Sequence, residues 1–235
     1  VENIAHYLVP MTADGKVVLL MGVMADKDYN DMIKIITGLR RSGKSYLLNT
    51  LFVNHLLEQG VSVDCILQID LEDAKNKPLR NPTAMLQYIE ERSNDNRQYY
   101  VILDEVQLMS EFEEILNTLL KRKKYDVYVT GSNARFLSKD VVTTFRGRGD
   151  EVRVHPLSFA EYLSVQQPLP FAEQHLNEYM RLGGLPQLVV MNSEQQKRQY
   201  LSQLFANTYL VDIKERYAIK NDDDLEELID VIASS

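Results

Sequence analysis

The stretch "IITGLRRSGKSYLL", Ile35 to Leu48, decides how the rest of the chain is read. It sets Gly38 and Gly43, then Lys44 and Ser45, directly behind a short β-branched run. Glycines weaken a strand or a helix, and a lysine is costly among Ile and Leu. A bound polyphosphate accounts for both features. A loop of this spacing turns its backbone N–H groups inward at the start of a helix, where the helix dipole favours anions. Gly38, Leu39, Arg40, Arg41, Ser42, Gly43, Lys44, Ser45 and Tyr46 are therefore the candidate nucleotide-binding residues. Lys44 would reach the outer phosphates, and the Ser45 hydroxyl would ligate Mg²⁺.

Such a site requires an acid at the end of a neighbouring strand to hold the metal. "YYVILDE", Tyr99 to Glu105, supplies it. Asp104 is the candidate metal residue, and Glu105 the acid that would orient and deprotonate an attacking water. The position after these acids reads Val106, Gln107 rather than the x-Gly of a Ras-type GTPase. The nearest match to a guanine motif, Asn76 to Leu79, lacks its aspartate. Guanine specificity is not expected, and a water-activating acid favours hydrolysis over phosphoryl transfer to a metabolite. ATP with Mg²⁺ is the cofactor pair this implies. "VYVTGSN" ends another strand in polar residues, of which Asn133 is the preferred contact to the γ-phosphate or the water, with Ser132 the alternative. A turn after a strand also favours Gly, Ser and Asn. For the arginine that offsets transition-state charge, Arg146 and Arg148 in "TTFRGRGDEV" are the candidates. Arg40 and Arg41, inside the loop, either face the nucleotide or solvent.

Around these motifs, short apolar runs alternate with helical patterns of about a dozen residues. "VDCILQIDL", "DVYVTGSN" and "DEVRVHPL" read as further strands. "SYLLNTLFVNHLLEQG" and "NPTAMLQYIEERS" read as helices. Ser110 opens another helix, with Glu113 completing a capping box. The order predicts an α/β fold: a P-loop NTPase with a parallel β-sheet core flanked by helices, followed by an α-helical subdomain. Residues 1–30 stay unassigned, 31–156 form the core, 157–217 a helical lid, and 218–235 the start of a truncated, winged-helix-like C-terminal domain.

The chain has 235 residues, 45% apolar and 26% charged, with net charge −8, so a broad basic face for nucleic acid is not indicated. Cys65 is the lone cysteine, which suits a reducing compartment and a buried thiol. The longest apolar run, Val17 to Met24, is too short to span a bilayer. A cytoplasmic location without membrane attachment is expected. "KRKK", Lys121 to Lys124, reads as a basic helix end, and His155 as a residue packed in a strand. His6, His55 and His175 have no ligand spacing. Gly183, Gly184 and Pro186 end a helix. Arg181, just before them, reads as part of that helix end, with contact to the nucleotide from the lid as the alternative.

Five segments in this order and spacing ("ITGLRRSGKSYLL", "YVILDEVQ", "VYVTGSNARFLS", "GRGDEVRVHPLSFAEYL" and "YMRLGGLPQLVV") resemble prokaryotic AAA-type ATPases of the wider AAA+/STAND-like branch. The resemblance covers about Ile33 to Tyr217. It implies ATPase activity, with Lys44, Glu105, Asn133 and Arg148 in catalytic roles, Ser45 and Asp104 on the metal, and Gln107 at a characteristic position. The sequence before Arg148 departs from the family's leucine-rich pattern. The resemblance also implies fusion to a winged helix and a restriction-nuclease-like domain, through which a DNA or protein partner would be reached, and a homo-oligomer is a further expectation. Two other function classes fit the same residues: a nucleotide-dependent switch with negligible turnover, and a DNA-binding module opened by the last helix.

Overall fold

The computed structural model describes residues 32–131, 145, 148–164, 172–210, 213–214 and 222–234. The proposed N-terminal extension, Ser132, Asn133 and Arg146 lie outside the described residues. Five strands, β1 (Ile33–Thr37), β2 (Ile66–Asp70), β3 (Tyr99–Asp104), β4 (Tyr125–Thr130) and β5 (Gly149–Arg153), form one all-parallel sheet in the order β2-β3-β4-β1-β5. Burial follows that order. Every residue of β1 and β4 is buried, whereas the edge strands β2 and β5 expose part of theirs. A strand covered on both faces reads as a largely apolar run, which is why β3, and β1 despite its Lys34, were legible.

Two cores lie on opposite faces of the sheet. Ile36, Ile102, Tyr128 and Val152 face α1, together with its Leu48, Phe52 and Leu56. α1 is helical from Lys44–Tyr46 through a wider-wound stretch, Leu47–Phe52, to Val53–Glu58, and Gly60 at φ +84° follows it. On the other face Ile33, Ile35, Val101, Leu103, Val127 and Val129 meet α2 (Pro82–Arg92) and α3 (Phe112–Lys121), through Met85, Ile89, Leu116 and Leu119. α2 begins as the sequence indicates: Asn81 accepts from the Ala84 N–H and Pro82 takes the first turn.

α3 does not begin at Ser110. Its N-cap is Glu111, left-handed at φ 54° and without a side-chain cap bond. The apolar interior sets this start, because Met109 stays extended and buried and Phe112 is buried in the first turn. Glu113 and Glu114 still occupy that first turn, where the dipole favours them.

The central strands also hold charge that their apolar pattern hides. Lys34 on β1 is ion-paired to Asp126 on β4, both almost fully buried, and the Tyr128 hydroxyl donates to the other Asp126 oxygen at 2.8 Å. Burial beside that carboxylate pushes the Tyr128 phenol well above its ordinary range. Asp126→Ala would strand the Lys34 ammonium in the core. The expected loss is about 3–5 kcal/mol of folding stability, measured by denaturant unfolding. Replacing both Lys34 and Asp126 with Met and Leu should recover most of it.

Beyond β5 the described chain is helical. α4 (Phe159–Ser164), α5 (Ala172–Leu182), α6 (Pro186–Val189) and α7 (Glu194–Leu204, continued by a wide turn over Phe205–Tyr209) precede α8 (Asp222–Ser234). Leu182, Leu185, Leu188 and Leu204 form a separate small core. This group is tied to the sheet at Leu157, whose N–H donates to the Gly184 carbonyl at 2.7 Å and whose carbonyl accepts from the Tyr179 hydroxyl at 2.7 Å. A Cβ on Gly184 would stand 2.0 Å from that Leu157 carbonyl oxygen, so only glycine permits the contact.

Candidate active site

In a parallel sheet all carboxyl ends of the strands lie on one edge, and ligands bind there where the chain order reverses. Here β1 leads across the sheet to the far strand β2, while β5 lies on its other side, so the crevice opens beyond Thr37. The candidate loop occupies it. Gly38 sits at φ +143°, and a Cβ there would lie 2.1 Å from the Val154 carbonyl oxygen. Gly43, left-handed at φ 104°, caps α1 without a side chain, so the first-turn N–H groups have no side-chain acceptor at the N-cap. Arg41 also adopts a left-handed conformation, φ 66°, which is costly for a residue with a Cβ and marks a loop held in a specific shape.

Lys44 is buried. Its ammonium donates to the carbonyl oxygens of Gly38, at 3.1 Å, and Leu39, at 2.9 Å. Burial pulls its pKa below the ordinary lysine value, opposed by the charges of Glu105 and Asp104, while nearby Arg40 pushes the same way as burial. The Ser42 hydroxyl is buried without a hydrogen-bond partner among the described residues.

Asp104 closes β3 and is 4% exposed. Burial raises its pKa, and hydrogen bonds from Thr130 and Ser45 work against that rise. The Thr130 hydroxyl donates to Asp104 Oδ1, and Asn49 Nδ2 donates to Oδ2 at 2.9 Å. The same Thr130 oxygen accepts from the Glu105 N–H at 3.1 Å. Thr130 thus couples the two acids, which the strand order explains, because β4 lies between β1 and β3. Glu105 is itself left-handed at φ 55°, which turns the chain away just past the metal candidate.

A cleft of about 790 Å³ runs along this edge. Arg40 to Leu47, Glu72 and Glu105 line one part of it; Val154, His155, Leu157, Pro186, Gln187, Val189 and Val190 line another. One part is charged and rich in main-chain donors, and the other is largely apolar. That combination suits a molecule with an anionic tail and a flat, weakly polar head.

The other residues singled out in the sequence take varied places. Arg148 does not join this constellation. Its carbonyl accepts from the Ile33 N–H at 2.8 Å, so it stands at the amino ends of β1 and β5, about 13 Å of strand away from Thr37. Arg148 directly precedes β5, and in an all-parallel sheet the residue before a strand stands at the edge opposite the one where the glycine loop and the acids gather. Arg181 turns away from the cleft to pair with Glu194. His155 is not packed in β5 but exposed, two residues beyond its end, and lines the cleft. Of "KRKK", Arg122 pairs with Glu90 at 2.5 Å and Lys124 donates to the Ser93 carbonyl. Cys65 is free and buried, as read.

Thr130 and Asn49 are the site residues that sequence reasoning missed. Both had a signal: Thr130 is the last residue of the strand that carries the polar end, and Asn49 lies one helical turn beyond Ser45. Among the described residues no cluster of three or more His, Cys, Asp or Glu could cage a metal ion. A cation here would be held partly by a phosphate and water, as Mg²⁺ usually is. No helix among the described residues is long and apolar enough to cross a membrane.

Comparison with known proteins places this site in a family. Residues 30–163 match the family model described as AAA domain. A Haemophilus influenzae protein, described as uncharacterized, is 33% identical over 209 residues, covering 87% of this chain and 52% of the relative. The uncharacterized protein MJ1544 of Methanocaldococcus jannaschii is 26% identical over 212 residues, covering 85% of this chain and 46% of the relative. The chain thus spans about half the length of these relatives. Among solved structures, that of Caenorhabditis elegans PCH-2 aligns with 74% of this chain and 44% of its own, at 15% identity and a TM-score of 0.45.

Proposed function

The chain belongs to the AAA domain family, and from that premise we propose that it binds ATP with Mg²⁺ in the cleft and hydrolyses it. The observation that carries the proposal is the convergence of Lys44, Ser45, Asp104 and Glu105 at one edge of the sheet, next to a loop of main-chain donors. The triphosphate would lie in the loop from Gly38 to Ser45, with the buried Ser42 hydroxyl gaining the partner it lacks. The Lys44 ammonium would exchange the Gly38 and Leu39 carbonyls for phosphate oxygens. Ser45 and Asp104 would hold Mg²⁺, which supplies neutralising charge to the phosphates when bound. Asp104 already accepts on both carboxylate oxygens, which suits contact through the metal's water shell.

Glu105 would take a proton from the attacking water as its oxygen bonds to the γ-phosphorus. The bond from that phosphorus to the β–γ bridging oxygen then breaks, giving ADP and phosphate. Thr130 would hold Asp104 and the Glu105 main chain together, and Asn133 stays the candidate contact to the γ-phosphate or the water. The base would rest against Val154, Leu157, Pro186 and Val189.

Turnover in this reading moves the helices after β5 against the sheet, because Leu157 and α6 border the same cleft. That motion would be passed to the further length the relatives have. Arg148, at the other edge, would serve only a neighbouring copy's nucleotide, so an assembly of like chains is part of the proposal. Phosphate release from ATP is the test, read with Mg²⁺, with EDTA, and across protein concentration. Release that stops in EDTA and rises faster than linearly with concentration is expected. Equal release in EDTA would remove the metal from the account.

A further inference from the structure

We propose that Gln107 is a positioning residue for Glu105, retained at a cost in stability; this rests on the reading of Glu105 as the water-activating acid. Glu105 has a long side chain whose freedom must be removed if its carboxylate is to meet a water in one geometry. Its main chain is fixed by the bond from its N–H to Thr130 and by the short turn that follows, Val106–Leu108. That turn is anchored by Val106 and Met109, both buried, and by the Leu108 N–H donating to the Glu105 carbonyl at 3.0 Å. The carboxylate end is fixed by Gln107, whose Nε2 donates to Glu105 Oε2. Glu105 borders the cleft and Gln107 does not, so the amide acts from behind the acid, not on substrate.

The orientation of the Gln107 amide follows from chemistry. Reversed, it would set a carbonyl oxygen against a carboxylate oxygen. Its Oε1 is therefore the atom left over, and it is buried without a partner among the described residues. An orphaned buried acceptor is destabilising. An isosteric Met would avoid that cost while filling the same space, so the fold alone gives no reason for glutamine here. The donor N–H to Glu105 does.

The test compares the wild-type protein with Gln107→Met, Gln107→Glu, Glu105→Gln, and Gln107→Met combined with Glu105→Gln. Steady-state hydrolysis, affinity for a nonhydrolysable ATP analogue with Mg²⁺, and thermal unfolding are measured. Gln107→Met should lower kcat about 10- to 100-fold, keep analogue affinity within about 2-fold, and unfold no earlier than wild type. In the Glu105→Gln background the same change should cost less than about 2-fold, because the group it positions is gone. Gln107→Glu keeps the shape but sets like charge against Glu105, and should lose at least as much activity. If both Gln107 variants turn over at or above the wild-type rate while Glu105→Gln is impaired, the positioning role is wrong; a faster variant would make Gln107 a restraint. If Gln107→Met unfolds earlier and loses analogue affinity in proportion, the residue is structural. If Glu105→Gln itself turns over normally, the underlying reading fails instead.

Discussion

Glu105→Gln is expected to cut ATP turnover by about 100- to 10,000-fold while leaving nucleotide affinity within a few-fold of wild type. The substitution is conservative everywhere except at the proton. The left-handed backbone at φ 55° and the bond from the residue's N–H to Thr130 do not involve the carboxylate. The Gln107 amide can still donate to the new side-chain carbonyl, as it now does to Oε2. Lys44, Ser45 and the glycine loop, which would carry the binding, are untouched. What disappears is a group able to accept a proton from water as it attacks. The check is steady-state phosphate release beside an equilibrium titration of nucleotide. Affinity lost in step with turnover would mean Glu105 binds nucleotide rather than activating water.

Lys44→Ala should have the opposite signature. Nucleotide affinity is expected to fall by about 100-fold or more, equivalent to roughly 2.7 kcal/mol or more, with turnover lost along with binding. Lys44 is the buried cation of the loop, and its charge is shared between Glu105 and Asp104 on one side and two loop carbonyls on the other. Removing it leaves the acids facing the phosphates with less positive charge between them. Arg40 does not substitute for it, because a planar guanidinium on a longer stem cannot take the place of a compact ammonium. Calorimetric titration with ATP and Mg²⁺ reads the loss, and circular dichroism checks that the variant still folds. An affinity within about 3-fold of wild type would remove Lys44 from the site.

The fold was legible because its signals are local. Largely apolar, β-branched runs mark β1 and β3, as strands buried on both faces favour. Helical spacing marks α1, α2 and α3, and glycines stand at the turns where chain direction changes. What escaped depends on neighbours distant in the chain. Lys34 and Asp126 are each odd in a buried strand, and only the pairing of β1 with β4 brings them together. Ser110 offered a capping box, yet burial of Met109 and Phe112 moved the helix start past it.

The candidate site divides the same way. Gly38 to Ser45 is one contiguous loop, and Asp104 and Glu105 follow one strand, so each piece could be named from its own segment. Their nearness comes from the sheet order, which no segment states. Arg148 illustrates the limit. Its motif suggested a place at the nucleotide, yet a residue just before a strand of a parallel sheet stands at the amino edge, as the register with β1 has it. His155 was missed because its sequence reads as strand when the strand has already ended at Arg153. Asn133 falls outside the described residues, and Thr130, three residues earlier, bonds to Asp104.

The most direct measurement is a crystal structure of the chain with a nonhydrolysable ATP analogue and Mg²⁺. The account predicts the triphosphate wrapped by the amides of Gly38 to Ser45, the Lys44 ammonium moved from the Gly38 and Leu39 carbonyls onto phosphate, and the metal between Ser45 and Asp104 with Glu105 facing the γ-phosphate. A triphosphate bound elsewhere, or Asp104 and Glu105 turned away from it, would contradict it.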